Sequence, residues 1–413
     1  MKEKQNKIDR RNFLKAMGAV GLGSALTSAK VIADPNEPNV TDPNTKEKTQ
    51  KPKLPQVPRR KLGKTGVEVP CLALGFGSAG EPIVLRKAIE WGVNHWDTSL
   101  VAAGGNSETS IGEYISRNPE VRKELFIVTK ESDSKTAADL EKCLQTSLKR
   151  MNTDYIDLYF GVYRMSDPAQ LTDEVKKWAE DAKKRKLIRF FGFSTHKNIA
   201  QCLSAASKLD WIDAIQTACN FRLMQGDEMQ AAIEACYKAG IGLIAMKTQA
   251  KKIEDNEDKR LTEHFLKRGF TKGQAKIKAV LEDKRISTAC VAMQNVALLT
   301  SNVAAVLDET KLSQTDMEVF DAYAQASCSG YCAGCAYVCD SVLPNAPYVS
   351  DIMRYLMYYN SYGQRDKAKE LFAAIPGRVR NKLLTIDYRL AEVRCPQHLP
   401  IGKLVAEAVS KLA

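Results

Sequence analysis

Two groups of residues in this chain have the types and spacing to do chemistry. Asp97 ends the apolar run Val93–Asp97, and Lys130 directly follows the run Leu125–Thr129. An ionisable side chain at the end of an otherwise apolar strand is held where burial and a neighbouring charge set its behaviour. The second group is thiols. Six of the eleven cysteines are scattered singly, but Cys328, Cys332, Cys335 and Cys339 crowd into twelve residues, and Cys395 stands apart near the C-terminus. Closely spaced thiolates suit zinc or an iron–sulfur cluster, whereas disulfides suit an exported protein.

The elements that must position these groups alternate. Short runs rich in β-branched residues lie at Val69–Gly77, Val93–Asp97, Leu125–Thr129, Ile156–Phe160, Ile188–Phe193, Ile212–Gln216, Gly242–Met246 and Ile286–Ala292. Amphipathic stretches fall between and after them near 82–91, 107–117, 135–150, 168–185, 197–207, 227–239, 260–282 and 294–305, with the helical period plain in Leu140, Leu144 and Leu148. Eight strand–helix units in about 240 residues match a closed (β/α)8 barrel of the TIM type. The run Gly75-Phe76-Gly77-Ser78-Ala79-Gly80 lacks the spacing of a dinucleotide-binding loop, which counts against an open doubly wound sheet. Further helical stretches at Ser350–Tyr359 and Lys367–Ala374 are expected to pack a small, cysteine-containing C-terminal extension against the barrel.

Outside this body the composition changes. The chain of 413 residues carries a formal charge of +12. Residues 1–33 hold seven Lys or Arg against Glu3 and Asp9, leaving +7 for the rest, and no basic–aromatic run points to nucleic acid. Arg10-Arg11 with Phe13-Leu14-Lys15, followed by the mild apolar run Ala16 to Ala29, resembles a twin-arginine export signal. Residues 34–60, with Pro35, Pro38, Pro43, Pro52, Pro55 and Pro58, read as a tether unable to bury a core. The implied organisation is a signal segment at 1–33, a linker at 34–60, a barrel at 61–312 and a degenerate extension at 313–413. The implied location is the periplasm, with transient membrane contact through the signal.

Several stretches sharpen the barrel reading. Leu62-Gly63-Lys64-Thr65-Gly66, Gly92-Val93-Asn94-His95-Trp96-Asp97-Thr98, Phe126-Ile127-Val128-Thr129-Lys130 and Asp154-Tyr155-Ile156-Asp157-Leu158-Tyr159 occur in the order seen in aldo/keto reductases, and the chain resembles that family over roughly residues 61–310. The resemblance implies a site of Asp, Tyr, Lys and His at the strand ends, reducing a carbonyl with NADP(H). Asp97 and Lys130 match two of the four. Ala102 falls at the tyrosine position and Val162 at the histidine position, and neither side chain can donate a proton. Tyr163, just after the fourth strand, and His196, just after the fifth, are the candidate replacements. On the cofactor side Ser194 and Gln216 match nicotinamide-amide contacts, Met246 covers the ring, and Lys247 and Asn295 stand near the phosphates.

Some members of the family carry a ferredoxin-like C-terminal region with two cysteine runs, in which the last cysteine of each run serves the other cluster. Here the second run survives only as Cys395-Pro396, with Thr385, Tyr388 and Ala391 in place of its earlier cysteines. The resemblance therefore implies one 4Fe-4S cluster on Cys328, Cys332, Cys335 and Cys395, with Cys339 left over. The function expected is an exported oxidoreductase acting on an unknown small molecule or redox partner. The alternative is an inactive barrel retained as a periplasmic binding or assembly subunit.

Overall fold

The computed structural model describes residues 54–413 apart from 77–79, 132–133, 135, 225, 250–255, 328–330 and 344–347. The segment read as an export signal, most of the proline-rich stretch and Cys328 thus lie outside the described residues. The unit Val57–Ala413 begins before the boundary expected at residue 61. An antiparallel hairpin explains the difference, because β1 (Arg59–Lys61) pairs with β2 (Glu68–Pro70) in register Arg60↔Val69. Val57, Leu62 and Val69 are buried beneath it.

Eight parallel strands then close on themselves: β3 (Leu72–Gly75), β4 (His95–Asp97), β5 (Phe126–Lys130), β6 (Ile156–Met165), β7 (Ile188–Thr195), β8 (Ala214–Ala218), β9 (Gly242–Met246) and β10 (Ile286–Ala292), with β10 bonded to both β9 and β3. This is the (β/α)8 barrel with a helical extension. The expected strand Val69–Gly77 divides at Cys71, its first part turned into the hairpin and its second into the barrel. The expected helix 260–282 is two helices, Asn256–Lys267 and Lys272–Glu282. Gly269 adopts a positive φ of 83° and Thr271 caps the second helix through a reciprocal bond pair with Gln274, so the chain stops and restarts there.

Buried side chains of several strands form one apolar cluster in the barrel, including Val128, Leu158, Phe160, Ala214 and Ile244. Leu62 seals the lower end against Gly240–Gly242, where a Cβ on Gly63 would come 2.2 Å from the Gly240 carbonyl oxygen. A buried charge low in the wall is fully paired. Asp157 takes Arg122 at 3.0 Å, Arg189 at 2.6 Å and the Ile127 amide at 2.9 Å, as an uncompensated interior carboxylate would cost several kcal/mol.

After the helix Val296–Leu307 the chain returns over the barrel as a set of helices with its own apolar core. Ile352, Met353 and Leu356 on Val349–Ser361 meet Val405, Ala408 and Leu412 on Ile401–Leu412, each set spaced as one helical face. Polar ties fasten this layer to the upper rim of the barrel. Lys197 pairs with Asp351 at 2.9 Å, and Arg354 donates to the His196 carbonyl at 2.9 Å. Among the described residues no helix is long and apolar enough to cross a membrane.

Candidate active site at the barrel mouth

The C-terminal ends of the strands open into a cavity of about 790 Å³ lined by Asp97, Lys130, Tyr163, Ser194, His196 and Gln216, with Met246 and Lys247 at its side. Lys130 Nζ donates to Asp97 Oδ2 and to the Thr98 carbonyl, both at 2.7 Å. Each member of the pair is nearly buried, and each sits at the last residue of its strand. The two runs that the sequence singles out are therefore neighbours in the sheet, and their terminal charges meet across it.

Gln216 is 1% exposed, and its Oε1 has no hydrogen-bond partner among the described residues. An orphaned buried carbonyl oxygen is costly unless a ligand N–H satisfies it. Ser194 faces the same space, and its Oγ accepts the Arg164 amide at 3.2 Å. Arg164 and Lys247 are both held at φ 57°, a left-handed backbone that non-glycine residues seldom adopt. Such positions persist where the surroundings dictate them, often beside a ligand.

The expected replacements divide. Tyr163 stands half-buried at the rim, its amide bonded to Glu131 and its ring under Arg164. His196 lines the mouth, and burial, then Arg354 and Lys247, holds its imidazole well below the usual histidine range. That imidazole is neutral, so it can orient a carbonyl but is a poor acid. Val162 is buried in the wall opposite Phe193 in the β6–β7 register. Ala102 opens the turn Ala102–Gly105, in which Ala103 and Gly104 take left-handed backbones. Asn295 does not face the mouth. Its side chain accepts the Leu298 amide at 2.9 Å and caps the helix Val296–Leu307.

The model of the aldo/keto reductase family matches residues 82–324. The chain belongs to the aldo/keto reductase family. Two similar proteins are Aldo-keto reductases AFTS1 and AMT2 of Alternaria alternata, 24% identical over 233 residues and 25% over 232. Each match takes in 45% of this chain and 63% of the relative, so the chain spans somewhat under two thirds of those proteins. Among solved structures, a thermostable aldo-keto reductase crystallised with the inhibitor epalrestat is 27% identical with a TM-score of 0.56, covering 65% of this chain and all of that one. The remainder of this aldo/keto reductase family member is largely its N-terminal segment and the helical layer above the mouth.

That layer supplies mouth residues that the sequence reading passed over. Tyr358, Gln364 and Lys367 line the cavity with the strand-end groups. A second cavity of about 780 Å³ shares His196, Lys247 and Tyr358 and continues under Arg354 and Tyr362. The signal in the sequence was the spacing of Tyr355, Tyr358 and Tyr362 beside Arg354, one helical face that mixes phenols with a guanidinium.

The thiols also converge. Cys332, Cys335, Cys339 and Cys395 line one cavity of about 350 Å³ walled by Val338, Val349, Met353 and Leu399. Burial pushes the Cys335 and Cys339 thiols up to about 12, and their mutual proximity adds to it. Cys339, expected to be left over, faces the same space as the others, because the short helix Ala336–Asp340 turns it back toward Cys335. Among the described residues no three His, Cys, Asp or Glu side chains are set around a single metal ion.

Proposed function

We propose that the protein is an exported oxidoreductase that binds NADP(H) at the barrel mouth and reduces a carbonyl compound there. The observation that carries this reading is the buried Asp97–Lys130 pair beside Gln216, whose Oε1 lacks a partner in the same cavity. The residues fit the nucleotide. Gln216 and Ser194 present side-chain oxygens suited to a carboxamide, Met246 offers an apolar face, and Lys247 a cation for phosphate. NADP(H), when bound, supplies hydride. The chain's own part is to orient the carbonyl with the neutral His196 and to hold a cation, Lys130, fixed by Asp97 where negative charge develops.

The test is nucleotide titration followed by NADPH fluorescence. Wild type is expected to bind, and Gln216→Leu to bind roughly 10-fold more weakly without loss of stability, since it removes an orphaned polar group as well as a contact. Equal affinity in the two proteins would refute the assignment. Ala102 and Val162, which cannot donate a proton, are what supports a second reading, a binding or assembly subunit. NADPH binding with no reduction of any aldehyde would turn the assignment toward it.

For the thiol cavity we infer a single 4Fe-4S cluster. Four cysteines around an apolar space suit a polynuclear cluster, whose ligand sulfurs stand further apart than those of one zinc ion. Such a cluster would brace the helical layer or pass electrons. Loading before transport agrees with a twin-arginine route, which carries folded proteins to the periplasm.

A further inference from the structure

The family member has lost the tyrosine of its strand-end loop, yet a phenol still stands at the mouth. We propose that Tyr358, carried in by the C-terminal layer, is the proton-transfer residue of this site, with Lys247 as the cation that readies it. The proposal rests on the nucleotide reading above and adds the acid that reading lacks.

Four observations converge on it. Tyr358 is 8% exposed and lines both mouth cavities, one of which also holds Asp97, Lys130 and Gln216. Its hydroxyl has no hydrogen-bond partner among the described residues, whereas the phenols of Tyr331 and Tyr388 are bonded to Asn220 and to the Leu383 carbonyl. Lys247 Nζ lies 5.7 Å from the centre of its ring and 4.9 Å from that of Tyr362, and its left-handed backbone directs it there from the end of β9. The groups facing the phenol are overwhelmingly cationic: Lys247, Arg354, Arg164 and Lys367, with neutral His196 and Tyr362 beside them. Among the described residues the one carboxylate lining these cavities, Asp97, is taken by Lys130.

Burial by itself would raise the phenol, but these cations outweigh it and leave Tyr358 below the ordinary range, while Tyr362 is raised above it. A phenol that ionises easily in a cationic pocket is suited to acid catalysis near neutral pH. In the step assigned to it, the phenol O–H bond breaks and its proton passes to the carbonyl oxygen as hydride from bound NADPH adds to the carbonyl carbon. The products are the alcohol, NADP⁺ and tyrosinate, which recovers a proton from water. The same cations select a substrate class, carbonyl compounds that carry a carboxylate or phosphate.

Tyrosinate formation in the nucleotide-free protein, followed by ultraviolet difference titration, reads the phenol directly. The expected result is one phenol ionising below the usual value of about 10, absent from Tyr358→Phe and shifted upward in Lys247→Met. An unchanged titration in Tyr358→Phe overturns the proposal. With para-carboxybenzaldehyde and NADPH, Tyr358→Phe is expected to lose about 10²-fold or more in kcat while NADPH affinity and the thermal midpoint stay as in wild type. Retained kcat, or no turnover by NADPH-bound wild type, overturns the catalytic role. A wild type that binds no NADPH overturns the nucleotide reading instead, and is recognised because its failure appears in binding and not in the titration.

Discussion

Lowering the pH should strain the barrel at His95. This residue lies on β4, fully buried, with its ring edge-on to Phe126 at 5.1 Å and neither ring nitrogen hydrogen-bonded among the described residues. Burial brings its imidazole down from 6.5 to about 4, opposed by Asp97 and helped by Lys130 and Arg59. The folded value lies below the unfolded one, so the unfolded chain binds the extra proton. Stability is then complete above about 6.5 and drains as pH falls toward 4. At about 1.4 kcal/mol per unit, the full loss is about 3 kcal/mol, of which about 2 kcal/mol is gone by pH of about 5. His95→Leu removes this sensitivity while keeping an apolar side chain against Phe126. With a urea slope on the order of 3 kcal/mol/M, the variant should gain roughly 0.7 M in midpoint over wild type between neutral pH and pH of about 5. His196 and every other acid-sensitive group are common to both proteins and cancel. A midpoint difference that is the same at both pH values would refute the reasoning.

Lys130→Met should cost about 3–5 kcal/mol by thermal or urea unfolding, because it leaves Asp97 buried and uncompensated; adding Asp97→Asn should restore most of it, and full stability in the single variant would deny that the pair is desolvated. If the thiol cavity holds a cluster, anaerobic iron and sulfide content should fall in Cys332→Ser and Cys395→Ser. Comparing Cys339→Ser with Cys328→Ser then decides which of those two completes the set, and wild type without iron would dismiss the cluster. Replacing Arg10-Arg11 with a Lys-Lys pair should abolish transport of the folded protein, as read by cell fractionation. Export at the original rate would remove the twin-arginine reading.

The barrel was legible in the chain because a parallel strand buried on both faces writes itself as a short apolar run, and eight such runs alternated with helical periodicity. Asp97 and Lys130 were legible for the same reason, as charges that end those runs. The hairpin at Arg59–Lys61 and the break at Gly269 were not, since each depends on what the segment packs against or on a single backbone angle. The mouth shows the division most sharply. Local pattern pointed to Tyr163 and His196, the residues adjacent to strand ends, and to Asn295, whose side chain caps the helix Val296–Leu307. Tyr358 lies over 100 residues beyond Lys247, and the phenol-and-guanidinium face of its helix does not by itself say which strand ends it meets. Periodicity fixes which face of that helix is apolar, but tertiary ties such as those of Asp351 to Lys197 and of Arg354 to the His196 carbonyl set the face over the mouth. Spacing along the chain likewise gathered the thiols, while the folding of the layer decided that Cys339 and Cys395 share one cavity. Local sequence determines the elements and the charges at their ends; which distant side chains those charges meet is decided by packing, because contacts between remote segments leave no period in the chain.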